Sequence, residues 1–472
     1  MASNTQQPVV FVLFGAAGDL SRRKVLPAWI SMHQRGLLPE RWRLIGSGMN
    51  ERSNEEYRGI VEESLTEHGD GLPLDWDDVV ERIEFVGGGF TEDNPGGLVD
   101  AVARAKEDLG DEAVLVHYLA IPPEAFDNVT RALAANDLTE GTRVVFEKPY
   151  GTSLDSFEEL DALVKTAFSE EQVFRIDHFL GKEAVQNLYV MRFANELFGG
   201  VWHRDHVAQV QIDVPEELDV AQRAEFYDAT GAALDMLVTH LFQVAAQVAM
   251  EPPEDLRDPE SVIAAREEAL SHFRALDPAE VVLGQYDGYR DIDGVAPDSD
   301  QDTFVAARLW VDTDRWRDVP FLLRTGKRMA ASAQQVTLVL RSPRGPLMRE
   351  VDRPNSLSFS LKGSGELTIH TTVKTPGPEM SLTPAQTELE LGEVGDGGWL
   401  APYASLLHDV LTGDRTLFTS AAGLRHAFTA FAPLQSNARP TPQPYEPGSW
   451  GPAEAASLAE AGDRGRRWFL GQ

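Results

Sequence analysis

The chain contains no cysteine. That absence excludes disulfides, thiolate nucleophiles, Cys-ligated zinc and iron–sulfur clusters. Lysine is scarce, with 8 lysines against 34 arginines. Positive charge is short altogether: 75 acidic side chains face 42 basic ones, a formal net charge of −33. Such a field argues against nucleic acid or an anionic membrane surface as the main partner. An anionic small ligand would also meet repulsion, so its site needs a local cluster of cations. No apolar stretch reaches the ~18–20 residues of a spanning helix. The opening residues, MASNTQQPVV, lack the basic and apolar regions of a signal peptide. The chain therefore reads as soluble and cytoplasmic. The 11 histidines show no H-x-x-x-H or H-E-x-x-H spacing, and neither an EF-hand loop nor a G-x-S-x-G elbow is present. No metal site is expected.

What is present is an ordinary globular composition, 472 residues with 42% hydrophobic content, enough for two or three domains. The first third alternates apolar runs with helical patterns. Strands are expected at Pro8–Phe14, Arg43–Gly46, Ile83–Val86, Ala113–Ala120 and Thr142–Phe146, with a helix at Gly97–Leu109. That alternation predicts a parallel, doubly wound sheet. From about residue 205 the runs become period-two: His206–Val214, Thr303–Val311, Phe321–Arg324, Gln335–Arg341, Ser356–Leu361 and Glu366–Thr372. These predict a large, mainly antiparallel sheet. A long apolar helix is expected near Ala232–Met250, and an extended Pro-rich surface segment over Ala438–Pro452. The expected architecture is an α/β Rossmann-like nucleotide domain over 1–175, then an α+β domain over 176–472.

Four motifs carry chemistry. The first strand runs into Gly15-Ala16-Ala17-Gly18-Asp19-Leu20. Glycines there allow a tight turn and a pyrophosphate at the next helix N-terminus; a plain βα turn would read the same way. Arg22, Arg23 and Lys24 follow at once, on what could equally be a solvated helix face. Phe146-Glu147-Lys148-Pro149 closes a predicted strand, where open α/β sheets bind ligands. Lys148 can orient an anionic or hydroxylated substrate, and the Lys148–Pro149 bond is a candidate for the cis form; the alternative is a proline that merely stops a strand. Arg175 to Glu183 reads as the opening of a helix, which would put His178 and Lys182 on one face as a phosphate grip. His240 lies on an otherwise apolar helix. A lone histidine there is usually structural; the catalytic reading needs a carboxylate to orient it, and Asp177 is one candidate, although the sequence by itself does not bring the two together.

These residues resemble the glucose-6-phosphate dehydrogenase family over nearly the whole chain. The similarity rests on six motifs: Gly15–Leu20, Glu147-Lys148-Pro149, Arg175-Ile-Asp-His-Phe-Leu-Gly-Lys182 continuing to Asn187, Arg192–Asn195, Val319–Lys327 and Gly448–Pro452. The resemblance implies a Rossmann-like coenzyme domain and an α+β domain whose sheet forms a homodimer, or part of a homotetramer. It implies oxidation of D-glucose 6-phosphate to the 6-phosphogluconolactone with hydride transfer to NADP or NAD, the first step of the oxidative pentose phosphate pathway. By motif position, His240 would be the general base and Asp177 its orienting partner. His178 and Lys182 would hold the phosphate. Lys24, Lys148, Glu216, Asp235 and Lys327 would contact the sugar or fix the site. Gly15, Gly18, Asp19, Leu20, Ala120, Pro122 and Lys148 would line the coenzyme, and Ser47, Met49 and Arg52 would stand near its adenosine ribose.

The chain departs from the family pattern in places. Met49 stands where NADP-preferring members usually place Arg, and Glu51 would repel a 2′-phosphate, so coenzyme choice is expected to be relaxed or to lean to NAD. Phe179 replaces a Tyr, Ser332 replaces a Lys or Arg five residues after the Gly-Lys pair, and Thr239 replaces an Asn. The basic C-terminal cluster of the second NADP site of some animal members is absent. Weaker substrate binding is expected from the lost Tyr hydroxyl. Three other readings remain: a dehydrogenase of another anionic hexose, a non-catalytic regulatory homologue, and an unrelated Glu-Lys-Pro dehydrogenase.

Overall fold

The computed structural model describes residues 7–342, 354–393, 398–460 and 467–471. Sixteen strands are found among them: β1 Val9–Phe14, β2 Trp42–Ser47, β3 Ile83–Val86, β4 Val114–Leu119, β5 Arg143–Phe146, β6 Val173–Ile176, β7 Val207–Pro215, β8 Val281–Tyr286, β9 Phe304–Leu309, β10 Phe321–Gly326, β11 Gln335–Leu340, β12 Ser356–Ser360, β13 Glu366–Lys374, β14 Leu382–Glu390, β15 Phe418–Thr419 and β16 Gln443–Tyr445.

The first sheet has the order β15-β6-β5-β4-β1-β2-β3. Its six N-terminal strands are parallel, and only β15 runs antiparallel, against β6. Strand β1 is buried at every position because helices cover both faces. The order reverses at β1, so the crevice above β1 and β4 is the switch point where such sheets take ligands. The second sheet has the order β14-β13-β12-β11-β7-β10-β9-β8-β16. It is antiparallel except for the β7–β10 and β8–β16 pairs. The expected fold class, a Rossmann-like domain followed by a domain with a large mainly antiparallel sheet, is what the chain adopts.

Several local expectations are corrected. Strands β6, β8, β14, β15 and β16 are additions to the expected set. Residues 175–183 do not open a helix. Arg175 and Ile176 end β6, residues 178–181 form a turn, and the helix begins at Glu183 with Lys182 as its N-cap. The i,i+4 spacing of His178 and Lys182 is therefore a turn spacing, because β6 extends the sheet beside β5 and leaves only a short stretch to reverse direction. The Pro-rich 438–452 segment is not wholly superficial either: Gln443–Tyr445 pairs with β8 and Tyr445 is buried.

The apolar helix runs over Ala224–Ala249, long and apolar enough by composition to cross a membrane, but the most apolar window is 94% buried inside the protein. It serves as a core helix. It breaks at Gly231, which has φ 73°. A Cβ there would lie 2.8 Å from Asp302 Oδ1. Asp302 in turn caps the restarted helix, its carboxylate accepting the Ala233 N–H at 2.7 Å. The next turns, Leu234–Leu241, are wound as a π-helix, a form often found at functional positions. Elements late in the sequence also close the first sheet. Helix Pro402–Thr412 packs on helix Leu26–Gln34, and the Arg143 guanidinium donates to the Val410 and Leu411 carbonyls.

Candidate active site

Strand β5 ends in Phe146 and hands Lys148 to the crevice through a cis Lys148–Pro149 bond. The turn after β6 delivers Asp177 and His178. The π-wound segment delivers Asp235 and His240. These three pieces, distant in sequence, converge. His240 Nδ1 lies 2.6 Å from Asp177 Oδ1, and both side chains are buried. Asp177 accepts, so the Nδ1 proton is held there and Nε2 keeps its lone pair. Lys148 Nζ sits 2.9 Å from that Nε2 and 2.9 Å from Asp235 Oδ1. Asp177 Oδ1 also accepts the Phe179 N–H at 2.9 Å, whereas its Oδ2 is buried without a hydrogen-bond partner.

Burial dominates the electrostatics. It pushes the Asp177 carboxyl up to about 6, against the pull of His178, the Phe179 N–H and Lys148. It holds the His240 imidazole well below the usual histidine range, with Lys148 adding repulsion. His178 is depressed in the same way, by burial and by His240 and Lys148. Burial alone would raise Asp235, but the attraction and hydrogen bond of Lys148 outweigh it and hold the carboxyl at about 2. The result is a neutral imidazole with an unprotonated ring nitrogen, backed by a carboxylate and accepting from an ammonium. That is the arrangement of a general base with an orienting partner. Behind Lys148, Glu147 is buried and accepts the Tyr118 hydroxyl at 2.6 Å; burial pushes its carboxyl up to about 7.

The other expected substrate residues gather on the same side. Lys327 Nζ contacts Glu216 Oε2 at 2.7 Å, fixed by the ends of β10 and β7. Lys182 is buried, and burial lowers its ammonium to about 8. Its Nζ lies 3.4 Å above the Phe179 ring and 2.5 Å from Gln334 Oε1. Phe179 also stacks on His240, with ring centroids 4.7 Å apart, so the missing Tyr hydroxyl leaves a ring that still positions the base. His178 meets His240 edge-on at 4.6 Å. Lys24 is exposed and lines, with His178, Arg23, Arg35 and Tyr403, a cavity of about 620 Å³. Three candidate ligand atoms, from Asp177, His178 and His240, lie within 4.8 Å of one another. The Asp177–His240 hydrogen bond and the Lys148 ammonium on Nε2 use the same lone pairs that a cation would need.

The residues expected to line a coenzyme lie around the C-terminal ends of β1, β2 and β4. Gly15 has φ +70°, and a Cβ there would lie 2.1 Å from the Ala120 carbonyl oxygen. Only glycine fits, because the turn after β1 touches the end of β4. The Gly18 N–H closes the turn on Gly15 O at 2.9 Å, and the helix starts at Asp19, its first i→i−4 bond running from the Arg22 N–H to the Gly18 carbonyl at 3.0 Å. That leaves the first N–H groups for an anion. Ser47 is buried at the end of β2, Arg52 is exposed, and Met49 is 88% exposed. Glu51 lies along Gly87–Gly88, where a Cβ on either glycine would meet its carboxylate oxygens at 2.7 and 2.8 Å. Ala120 and Pro122 lie at the exit of β4. Donor turn, helix start and lining are those of a dinucleotide site.

Gln334 and the Phe179–His240 stack were not named from the sequence, and Glu147 was named only within its motif, without a role of its own. Gln334 is 152 residues from Lys182, and no spacing rule links them.

Comparison with known proteins agrees with this geometry. The family model described as "Glucose-6-phosphate dehydrogenase, NAD binding domain" matches residues 12–187, and that described as "Glucose-6-phosphate dehydrogenase, C-terminal domain" matches 189–469. A relative in Mycobacterium tuberculosis, "Glucose-6-phosphate 1-dehydrogenase 2", is 35% identical over 98% of this chain and 94% of its own length. The Arabidopsis thaliana "Glucose-6-phosphate 1-dehydrogenase 6, cytoplasmic" is 32% identical over 95% of this chain and 90% of its own. A solved structure described as "Glucose-6-phosphate dehydrogenase in complex with its substrate glucose-6-phosphate" superposes with a TM-score of 0.90 at 29% identity, covering 99% of this chain and 100% of the other. The chain belongs to the glucose-6-phosphate dehydrogenase family.

Proposed function

We propose that the chain oxidises D-glucose 6-phosphate at C1 to the 1,5-lactone with transfer of hydride to a nicotinamide coenzyme. The observation that carries this reading is the buried Asp177–His240 pair at 2.6 Å, with Nε2 unprotonated and turned to the Lys148 ammonium at 2.9 Å. A hemiacetal hydroxyl cannot give up hydride cheaply while it keeps its proton. A positioned base contributes roughly 10²–10⁴-fold. His240 Nε2 takes the O1 proton as the C1–H bond breaks, and the C1–O bond becomes the lactone carbonyl. Asp177 holds the ring and stabilises the imidazolium that forms. Lys148 leaves Nε2 to the hydroxyl and keeps Asp235, so its ammonium stays beside the reacting oxygen. His178 and Lys182 bind the phosphate. Lys327 and Glu216, with Asp235 and Lys24, hold the sugar. When bound, the coenzyme supplies the hydride acceptor. Gly15, Gly18, Asp19 and Leu20 receive its pyrophosphate; Ala120, Pro122 and Lys148 line its nicotinamide half.

NAD is the favoured coenzyme in this reading, with NADP accepted. The uncharged, exposed Met49 and the Glu51 carboxylate along Gly87–Gly88 support it. Strong NADP preference, unchanged on removing Arg52, would count against it. We place the division between coenzyme and substrate domains near residue 175, the protein in the cytoplasm, and the assembly as a homodimer or homotetramer. The test is the initial rate of NAD⁺ and NADP⁺ reduction with glucose 6-phosphate, glucose and other hexose phosphates. Turnover led by glucose 6-phosphate supports the proposal; a folded protein inactive with both coenzymes refutes it.

A further inference from the structure

The phosphate of the substrate approaches two negative charges at neutral pH, and the residues assigned to it supply little positive charge. His178 can donate a hydrogen bond, yet its surroundings oppose a charge on the ring. Lys148 is committed to Asp235 at 2.9 Å and Lys327 to Glu216 at 2.7 Å. Lys182 has no carboxylate in direct contact among the described residues, with Asp177 and Glu216 acting on it only from a distance. In a chain of net charge −33, one ammonium is a weak grip for a dianion. The sequence pattern also leaves a gap, since Ser332 stands where a Lys or Arg is usual.

The structure fills that gap from another element. Lys362, in the turn after β12, extends its Nζ to the backbone carbonyl of Ser332. Lys182 reaches Gln334 Oε1, two residues further on. The Leu361 N–H donates to the Gln334 carbonyl at 2.7 Å, which locks the turn carrying Lys362 against this segment. The segment is tied in turn to the Glu216 side of the pocket, because Ser332 exchanges hydrogen bonds with Glu217 at 2.9 and 3.1 Å. Among the described residues no carboxylate pairs with Lys182 or with Lys362. Both ammonium groups rest on neutral oxygens of residues 332–334. Lys182 is buried and fixed; Lys362 is exposed and has four rotatable methylenes with which to close.

We propose that Lys362 is a phosphate-binding residue of the substrate site, a second unpaired ammonium that joins Lys182 across the 332–334 segment and takes the place of the cation missing at Ser332. The inference rests on the reading above that Lys182 faces the phosphate.

The test uses the full chain and four proteins: wild type, Lys362→Gln, Lys362→Arg and Lys182→Gln. Steady-state constants for glucose 6-phosphate are measured with competitive inhibition by inorganic phosphate. Lys362→Gln raises both the KM for glucose 6-phosphate and the inhibition constant for phosphate about tenfold, the size of a lost charge-assisted hydrogen bond. Its kcat and coenzyme KM stay within about twofold, and Lys362→Arg restores most of the loss. Lys362→Gln values equal to wild type, while Lys182→Gln raises both constants, would overturn the role of Lys362 alone. If Lys182→Gln also moves neither, the phosphate assignment fails and this inference with it. A loss confined to kcat would equally overturn it, since the residue would then act elsewhere.

Discussion

Replacing Asp177 with asparagine removes a charge and keeps the volume. The site shows what that charge does. Its Oδ1 lies 2.6 Å from His240 Nδ1, in a buried pair. As His240 takes the substrate proton, the imidazolium and carboxylate charge centres come to about 4 Å, worth about 4 kcal/mol at an effective dielectric of about 20. The asparagine side chain still offers an amide oxygen to the His240 Nδ1–H, so part of the interaction survives. At ~1.4 kcal/mol per factor of ten, the expected loss in kcat is about 10²–10³-fold. The fold should not suffer. Burial raises the Asp177 carboxyl from 3.8 to about 6. Between those values the folded state binds more protons than the unfolded one, so stability falls as pH rises through that window and stays lower above it. Asparagine removes this penalty, and the Tm of the variant at pH 8 should equal or exceed that of wild type. The assay is kcat for glucose 6-phosphate with thermal melting of the same preparations. A variant that keeps kcat within threefold would refute the role given to the carboxylate. A variant that melts early would refute the account of its burial.

Three further outcomes follow from the same geometry. Met49→Arg places a guanidinium on an 88% exposed side chain; kcat/KM for NADP should rise about 10–100-fold relative to NAD, the range of a charged hydrogen-bonded pair, and an unchanged ratio would remove residue 49 from the coenzyme site. Phe179→Tyr restores a hydroxyl beside Lys182 and should lower the KM for glucose 6-phosphate about 2–10-fold, one net hydrogen bond; unchanged constants would show that the ring serves only to stack on His240. The pH profile of kcat/KM should fall below about pH 6, where Asp177 takes a proton and no longer backs His240 as a carboxylate, and should fall again above about pH 8, where Lys182 loses its charge in the free enzyme; a profile flat through pH 5–6 or rising through pH 8–10 would contradict it.

The sequence made some elements plain and hid others for physical reasons. Strand β1 was legible because PVVFVLF is buried on both faces and ends in a glycine that the structure requires. Strand β14, LTPAQTELE, was not, because it forms an exposed hairpin with β13 and carries a proline and no apolar alternation. Strand β6 was hidden by length: four residues, VFRI, merge with the motif that follows. The same motif misled about His178 and Lys182, whose separation of four fits a helix face and is realised as a turn. His240 and Asp177 are 63 residues apart. Only resemblance, not periodicity, could pair them. The Lys148 contact with His240 and the Lys182 contact with Gln334 are products of tertiary packing and left no local trace.

The central claim is that His240 Nε2 takes the substrate proton. The most direct measurement is turnover of glucose 6-phosphate by His240→Ala beside wild type, with substrate affinity measured on both by calorimetry. The account predicts a kcat reduced at least about 10²-fold, in line with loss of a general base, with glucose 6-phosphate still bound within a fewfold of wild-type affinity. A variant that binds substrate normally and turns it over at the wild-type rate would contradict it.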